Sequence, residues 1–175
     1  MSSTRRFTPS DLFRMNPVNL DKLTETYNLN FYFQYMLRWP EFQQTVTSPD
    51  GTMMSYVLGK AEGRGREWHG HVSAVTVAPG YRRLGLATKL MAFTESLSDE
   101  TYNCYFVDLF VRKSNSLAIS MYKKMGYVVY RTILQYYGGE EDAYDMRKAL
   151  SRDTNRSSVV PLGKAVRSEE VPLTM

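Results

Sequence analysis

Between residues 67 and 97 the sequence changes its repeat from two to between three and four, and this change restricts the chain more than any other feature. "EWHGHVSAVTV" reads as a strand, whereas Leu84, Ala87, Leu90, Met91, Thr94 and Leu97 recur at helical spacing and mark one face of a helix. The junction is "RRLGLA", residues 82–87, which sets two arginines and a glycine where strand gives way to helix.

The flanking segments extend this pattern. Thr8, Pro9 and Asp11 read as an N-cap, a first-turn proline and an early carboxylate, predicting a short helix over about 9–15. An aromatic helix is expected from Phe31 to Trp39, ended by Pro40. "FQQTVTS" and "TMMSYVLGKAE" flank Ser48-Pro49-Asp50-Gly51 and predict a hairpin, with a second turn at Gly63–Arg66.

After the helix, "CYFVDLFV" reads as a mostly apolar central strand. Ser114 or Asn115 caps a helix with an inward stripe of Leu117, Ala118, Met121 and Met125, and Gly126 stands where a C-cap glycine belongs. "YVVYRTILQYY" is a further strand, Gly138-Gly139 a turn and "AYDMRKAL" a shorter strand. Helices, a meander, a helix, a strand, a helix and strands make an α+β domain built around one mixed, mostly antiparallel sheet.

A chain of 175 residues, 43% apolar, can bury one sizeable core. One domain over 1–150 is therefore expected, with 151–175 a polar tail, extended or docked on a partner. "MSSTRRFTPSD" has no apolar stretch behind it and no run of about 18 apolar residues occurs, so a soluble, cytoplasmic protein is expected. One cysteine, Cys104, and two histidines are too few for a typical closed zinc site, and no metal is expected. The net charge of +4 is spread along the chain, which suits a solvated surface better than a sequence-specific nucleic-acid site.

At the 82–87 corner, a glycine lets a ligand approach the backbone, and the first helical N–H groups lack partners within the helix. Those donors and the positive helix end favour an anion such as pyrophosphate, and Arg82 and Arg83 add charge. Taken alone, the segment reads better as an ordinary helix start with exposed arginines. Neither of the familiar nucleotide loops is present.

"RRLGLA" also matches the R/Q-x-x-G-x-G/A signature of the GNAT acetyltransferase superfamily at Arg82, Gly85 and Ala87. Asn115, with Tyr122 seven residues later, matches a second landmark. "HGHVSAVTVAPGYRRLGLATKLM", "VDLFVRKSN", "MYKKMGY" and "EDAYDMRKALSRD" together resemble a catalytic subunit of the N-terminal protein acetyltransferases, and "LTETY" with "RWPEF" resemble the NatB type. The resemblance covers about residues 1–165.

It implies acetyl-CoA as co-substrate, with pantetheine along Val75 to Val77, pyrophosphate on the N–H groups of Arg82, Arg83, Gly85, Leu86, Ala87 and Thr88, and Asn115 on the pantetheine arm. An ordinary N-cap would use the same Asn115 side chain. It implies His71 as the base and Tyr122 as the acid that protonates the departing thiolate; by residue type alone, both also suit packing positions. A free α-amine titrates near about 7.7–8.0, so a modest base suffices. Cys104, in an apolar strand, is expected to be inert, which favours direct attack over a covalent enzyme intermediate.

The NatB type acts on an initiator methionine followed by Asp, Glu, Asn or Gln. The resemblance gives Leu23, Tyr27 and Phe31 to a methionine slot, His71, Tyr136 and Tyr137 to the second side chain, and Glu25 to orientation of the chain start. It implies a large helical-repeat auxiliary subunit, docked on the "NPVNLDKL" region and first helices, and nascent chains at the ribosome, with no membrane. A NatA-type subunit, a lysine or small-molecule acetyltransferase, and a noncatalytic CoA-binding module share the cofactor motif.

Overall fold

The computed structural model describes residues 2–171, so Pro172 and the end of the expected 151–175 tail lie outside the described residues. The chain divides into two compact units, one running to Lys60 and including Val72–Leu97, the other comprising Ala61–His71 and the chain from Ser98 onward.

In the first unit the strands follow the order β1 (Ser3–Arg6), β2 (Gln44–Thr47), β3 (Met53–Glu62) and β4 (His69–Val77), the last two continuing into the second unit. β1 pairs antiparallel with β2, and β2 with β3 across the expected Ser48–Gly51 turn. β1 is not among the expected strands; "STRR" is short and charged, and it becomes a strand by pairing with β2 at the edge of the sheet. The expected first helix is a 3-10 helix, Pro9–Arg14, where the Thr8 N–H donates to Asp11 Oδ2 at 2.8 Å. A single helical turn, α1 (Asn16–Asn19), follows, and then α2 (Leu29–Arg38).

α2 starts two residues before Phe31 because Asn28 Oδ1 accepts the Phe31 N–H at 2.9 Å. Its Tyr32 and Tyr35 join Phe7, Met15, Val18, Met53, Tyr56 and Leu58 in the core. Gln43 is fully buried but satisfied: its amide donates to Trp39 O and Gly59 O and accepts from Gly59 N–H. Such saturation is what makes a buried amide tolerable.

α3 (Leu86–Ser96) buries Leu86, Leu90, Met91 and Thr94. Leu84, expected on this face, is 64% exposed because the helix begins only after Gly85. A π-helical turn, Leu97–Thr101, follows.

The second unit contains β5 (Phe106–Arg112), β7 (Glu141–Ala149), β6 (Val128–Tyr137) and β8 (Val166–Arg167) in that order, with α4 (Ser116–Lys124) between β5 and β6 in the chain. β5–β7 and β6–β7 are antiparallel and β6–β8 parallel. β7 is nine residues long, close to the ten of β6 rather than clearly shorter. Leu117 is 78% exposed, not inward; α4 instead buries Tyr122, beside half-buried Ala118, Met121 and Met125. From Ser151 the chain forms short turns and then β8, and Val166 and Val171 pack with Ile133 and Ala143.

Candidate active site

The corner in the first unit has the backbone of an anion site. Gly85 takes φ +75° and ψ 10°, and a Cβ there would meet nothing within 4 Å, so the left-handed backbone rather than crowding calls for glycine. The Lys89 N–H is bonded to Gly85 O at 3.0 Å, so the N–H groups of Leu86, Ala87 and Thr88 precede the first intrahelical bond of this turn. Exposed Arg83, at φ 65°, adds charge. Three backbone donors at the positive end of an eleven-residue helix fit a pyrophosphate.

Arg82 is differently placed. Its Nη2 bonds Asp21 Oδ2 and its Nε donates to Val77 O at 3.3 Å, which ties the loop to the end of β4. The Leu23 N–H and Arg82 hold the Asp21 carboxyl below its ordinary range. Val75 and Val77 are half-buried on β4.

Tyr27 stacks on Phe31 with centroids 4.0 Å apart, and Phe31 on Tyr35 at 4.2 Å. The Tyr27 hydroxyl donates to Ser73 O at 3.1 Å, and Tyr35 and Ser73 share a 2.7 Å hydrogen bond. The structure thus brings Tyr27 and Phe31 into one aromatic column, with Tyr35 as a member that the sequence did not single out. Glu25 is half-buried and Leu23 is 41% exposed.

In the second unit, His71 Nδ1 lies 2.7 Å from Asp108 Oδ1, and His69 Nε2 lies 3.5 Å from the same oxygen and 3.6 Å from Glu62 Oε1. His69 stacks on Phe106 with centroids 4.8 Å apart and planes 3° off parallel. Arg147 sits 4.3 Å from the Phe106 centroid and 3.6 Å from that of Tyr130. Gly70, between the histidines, has no room for a side chain: a Cβ would come 2.1 Å from Ser98 Oγ. Burial opposes charge on His69, but Asp108, Glu62 and the Glu67 carbonyl outweigh it and raise the imidazole to about 9. Burial likewise opposes ionisation of Asp108, yet His69, His71 and Arg147 hold it well below the usual carboxylate range.

His71 also meets Phe110, at 5.1 Å between centroids, Phe110 meets Tyr136 at 5.2 Å, and Tyr136 meets Tyr137 at 5.0 Å. The structure therefore gathers His71, Tyr136 and Tyr137. An irregularity in β6 between Ile133 and Tyr137 breaks the ladder beside Tyr136. The Tyr137 hydroxyl donates to Phe110 O at 3.1 Å, so its proton is committed to the fold.

Tyr122 is 7% exposed, and burial raises its phenol well above the ordinary range. It stays protonated at neutral pH, as a proton donor must. Asn115 Oδ1 accepts the Ala118 N–H at 3.2 Å, so the N-cap reading is realised and the side-chain NH2 is what Asn115 can offer a ligand. Glu141 positions this helix start by accepting from the Ser114 N–H at 3.1 Å and from Arg112 at 2.9 Å. Cys104 lies in the connection just before β5 rather than in the strand; it is fully buried, and burial pushes its thiol up to about 12.

Asp108 escaped notice in the sequence although a signal was there: one carboxylate inside "FVDLFV" is a charge in a strand that must be buried, and such a charge needs partners. Glu62, His69 and His71 bring one potential donor atom each within 4.8 Å, close enough for a metal ion. These residues already pair with one another or with Asp108.

A corner that presents backbone donors to an anion and a buried imidazole–carboxylate pair suit an acyl transferase whose donor carries phosphate. The sequence profile described as the acetyltransferase (GNAT) family matches residues 11–127, and the chain belongs to that family. It is 57% identical to "N-alpha-acetyltransferase 20" of Dictyostelium discoideum over 93% of this chain and 94% of that one. It is 53% identical to the "N-terminal acetyltransferase B complex catalytic subunit NAA20" of Arabidopsis thaliana over 98% of each. The catalytic subunit NAA10 of the N-terminal acetyltransferase A complex from the same plant is 38% identical over 89% of this chain and 81% of that one.

Among solved structures, Chaetomium thermophilum Naa20 in complex with a bisubstrate analogue superimposes with a TM-score of 0.91 at 40% identity, covering 95% of this chain and 97% of that one. A chain of the NatB acetyltransferase complex bound to CoA and MES gives 0.78 at 43% identity, covering 85% and 99%.

Proposed function

We propose that the chain is the catalytic subunit of a NatB-type N-terminal acetyltransferase. It transfers acetyl from acetyl-CoA to the α-amine of an initiator methionine followed by Asp, Glu, Asn or Gln. The observation that carries this reading is the near-full-length likeness to NatB catalytic subunits, at higher identity than to the A-complex subunit of the same plant.

The residues divide the work by their chemistry. Acetyl-CoA supplies the acyl group as a reactive thioester. The N–H groups of Leu86, Ala87 and Thr88, with Arg83, bind its pyrophosphate, the Asn115 amide NH2 donates to pantetheine, and Val75 and Val77 flank the arm. Arg82 holds the loop in shape through Asp21 and Val77. His71 takes the proton that the α-ammonium loses as its nitrogen bonds to the acetyl carbon. The carbon–sulfur bond breaks, and Tyr122 gives its proton to the thiolate.

The acceptor side follows from shape and donor type. Tyr27 and Phe31, backed by buried Tyr35, offer apolar surface to the methionine side chain, and Glu25 orients the chain start. Tyr136 addresses the second side chain. Neutral donors serve an amide and a carboxylate alike, whereas arginine would favour the acids.

The partner is an auxiliary subunit of the same complex, and the working place is the cytoplasm, at nascent chains on the ribosome. Phe13, Leu20 and Leu37, exposed at 89%, 82% and 76%, give the early helices an apolar surface suited to that docking. No helix among the described residues is long and apolar enough to cross a membrane.

The test is a turnover profile with acetyl-CoA over short peptides that differ only in their first two residues. Met-Asp, Met-Glu, Met-Asn and Met-Gln peptides are expected to lead. Preference for Ser- or Ala-starting peptides would replace this reading with the NatA type, and no turnover of any of them would remove the enzyme reading.

A further inference from the structure

We propose that Asp108 is a positioning residue for the acetyl transfer: it accepts the Nδ1–H of His71, leaving Nε2 as the basic atom, while His69 supplies the counter-ion on its other side. The inference rests on the reading of His71 as base.

The geometry points the same way from three strands. Asp108 is 3% exposed in the middle of β5, and its Oδ1 is shared by His71 at 2.7 Å and His69 at 3.5 Å. A buried carboxylate with one oxygen shared between two imidazoles holds both rings in place. An imidazole whose Nδ1 donates to a carboxylate has its lone pair on Nε2, so the tautomer is set before substrate arrives. Without that bond the neutral ring would spend part of its time with Nε2 protonated and unable to accept.

His69 does a different job. It lies between Asp108 and Glu62, its Nδ1 is 2.6 Å from Glu67 O, and its face is covered by Phe106. Two carboxylates flank it, so as a cation it balances charge that would otherwise fall on His71 alone. Its ring centroid is 6.4 Å from that of His71.

The other charged groups facing the cluster are also fixed. Glu67 pairs with Arg147 at 3.5 Å, and Asp145, opposite Phe110 in the β5–β7 register, is held by Arg131 at 2.8 Å and by Arg147. Arg147, opposite Asp108 in that register, is the remaining cation acting on the carboxylate. Both arginines are tied to Asp145, and His69 lies within ion-pair distance of both Asp108 and Glu62.

Two substitutions should move the pH dependence of kcat in opposite directions. Asp108→Asn removes the anion beside His71 and leaves its ring a weaker, tautomerically mixed base. The acid limb should move to lower pH and the plateau should fall about 10- to 100-fold, with KM for acetyl-CoA little changed. His69→Gln removes a cation, so the acid limb should move to higher pH by roughly one unit. A packing role would lower activity without opposed shifts.

Selective 15N labelling of histidine in the unsubstituted enzyme gives a readout that does not depend on how the variants fold. His71 should show the Nδ1–H tautomer, and His69 should carry both protons at neutral pH. An Nε2–H tautomer at His71, or limbs that move together or stay put, overturns the proposal. His71→Asn separates the two layers: full activity in that variant would remove His71 as base, whereas loss of activity without opposed limbs would leave the base in place and remove only the role of Asp108.

Discussion

Arg82 bonds Asp21 through Nη2 and the Val77 carbonyl through Nε, joining residues 61 and 5 positions away in the chain. The arginine that defines the start of the motif is thus a brace for the corner as well as a charge beside it. Because Arg82 is exposed at 43% of its side chain, the pair adds little to global stability.

Arg82→Ala should therefore act on donor binding. Loss of one charge-assisted brace at a phosphate loop is expected to raise KM for acetyl-CoA about tenfold, equivalent to about 1.4 kcal/mol, with kcat changed much less. Asp21→Asn should produce a smaller shift in the same direction, since it loosens Arg82 without removing its charge. Steady-state kinetics in acetyl-CoA at saturating peptide measures both, and equal loss in kcat and KM would show that the brace shapes more than the anion site.

The Tyr122 hydroxyl belongs to a buried ring that meets Tyr127 edge to face at 6.0 Å. Phenylalanine keeps those ring contacts, so Tyr122→Phe should leave the melting temperature nearly unchanged while lowering kcat about 100-fold through loss of the acid. Acetyl-CoA affinity, measured by calorimetry, should hold. Equal loss of affinity and turnover, or loss of neither, would point to packing instead.

Cys104 should be dispensable for chemistry and inaccessible to reagents. Its thiol, pushed up to about 12 by burial, provides almost no thiolate at pH 8, so iodoacetamide labelling should follow unfolding rather than precede it. Cys104→Ala should keep turnover and lose on the order of 1 kcal/mol by removing a buried sulfur. Abolished turnover in a folded variant would require a covalent enzyme intermediate.

The elements legible in the sequence were those whose pattern is local. The period change into α3, the Ser48–Gly51 turn and the Asn115 cap each leave a signature within a few residues, and each is found. Leu84 departs from its expected place because helical spacing runs past the start of α3, whereas Leu117 lies in the first turn of α4 on its outer side. β1 left no mark, since four polar residues become a strand only through pairing with β2. The site was legible as single residues but not as a network. His71 was named without Asp108, its partner 37 positions away, and Arg82 without Asp21. Spacing along a chain does not record contacts that a sheet creates.

His69 gives the network a thermodynamic signature. Its imidazole is raised to about 9 in the folded chain, against about 6.5 for the free side chain, so the folded state binds its proton more tightly. A group with a raised folded pKa stabilises fully below its unfolded pKa, and that stabilisation is lost as pH rises through the folded one. Stability should therefore decline between about pH 6.5 and 9, by as much as about 3 kcal/mol if His69 acted alone. His69→Gln cannot bind the proton and should flatten this decline. Urea unfolding across that window, with and without the substitution, measures the difference directly. An unchanged slope would mean that His69 is neutral in the folded protein and that Asp108 and Glu62 are balanced from elsewhere.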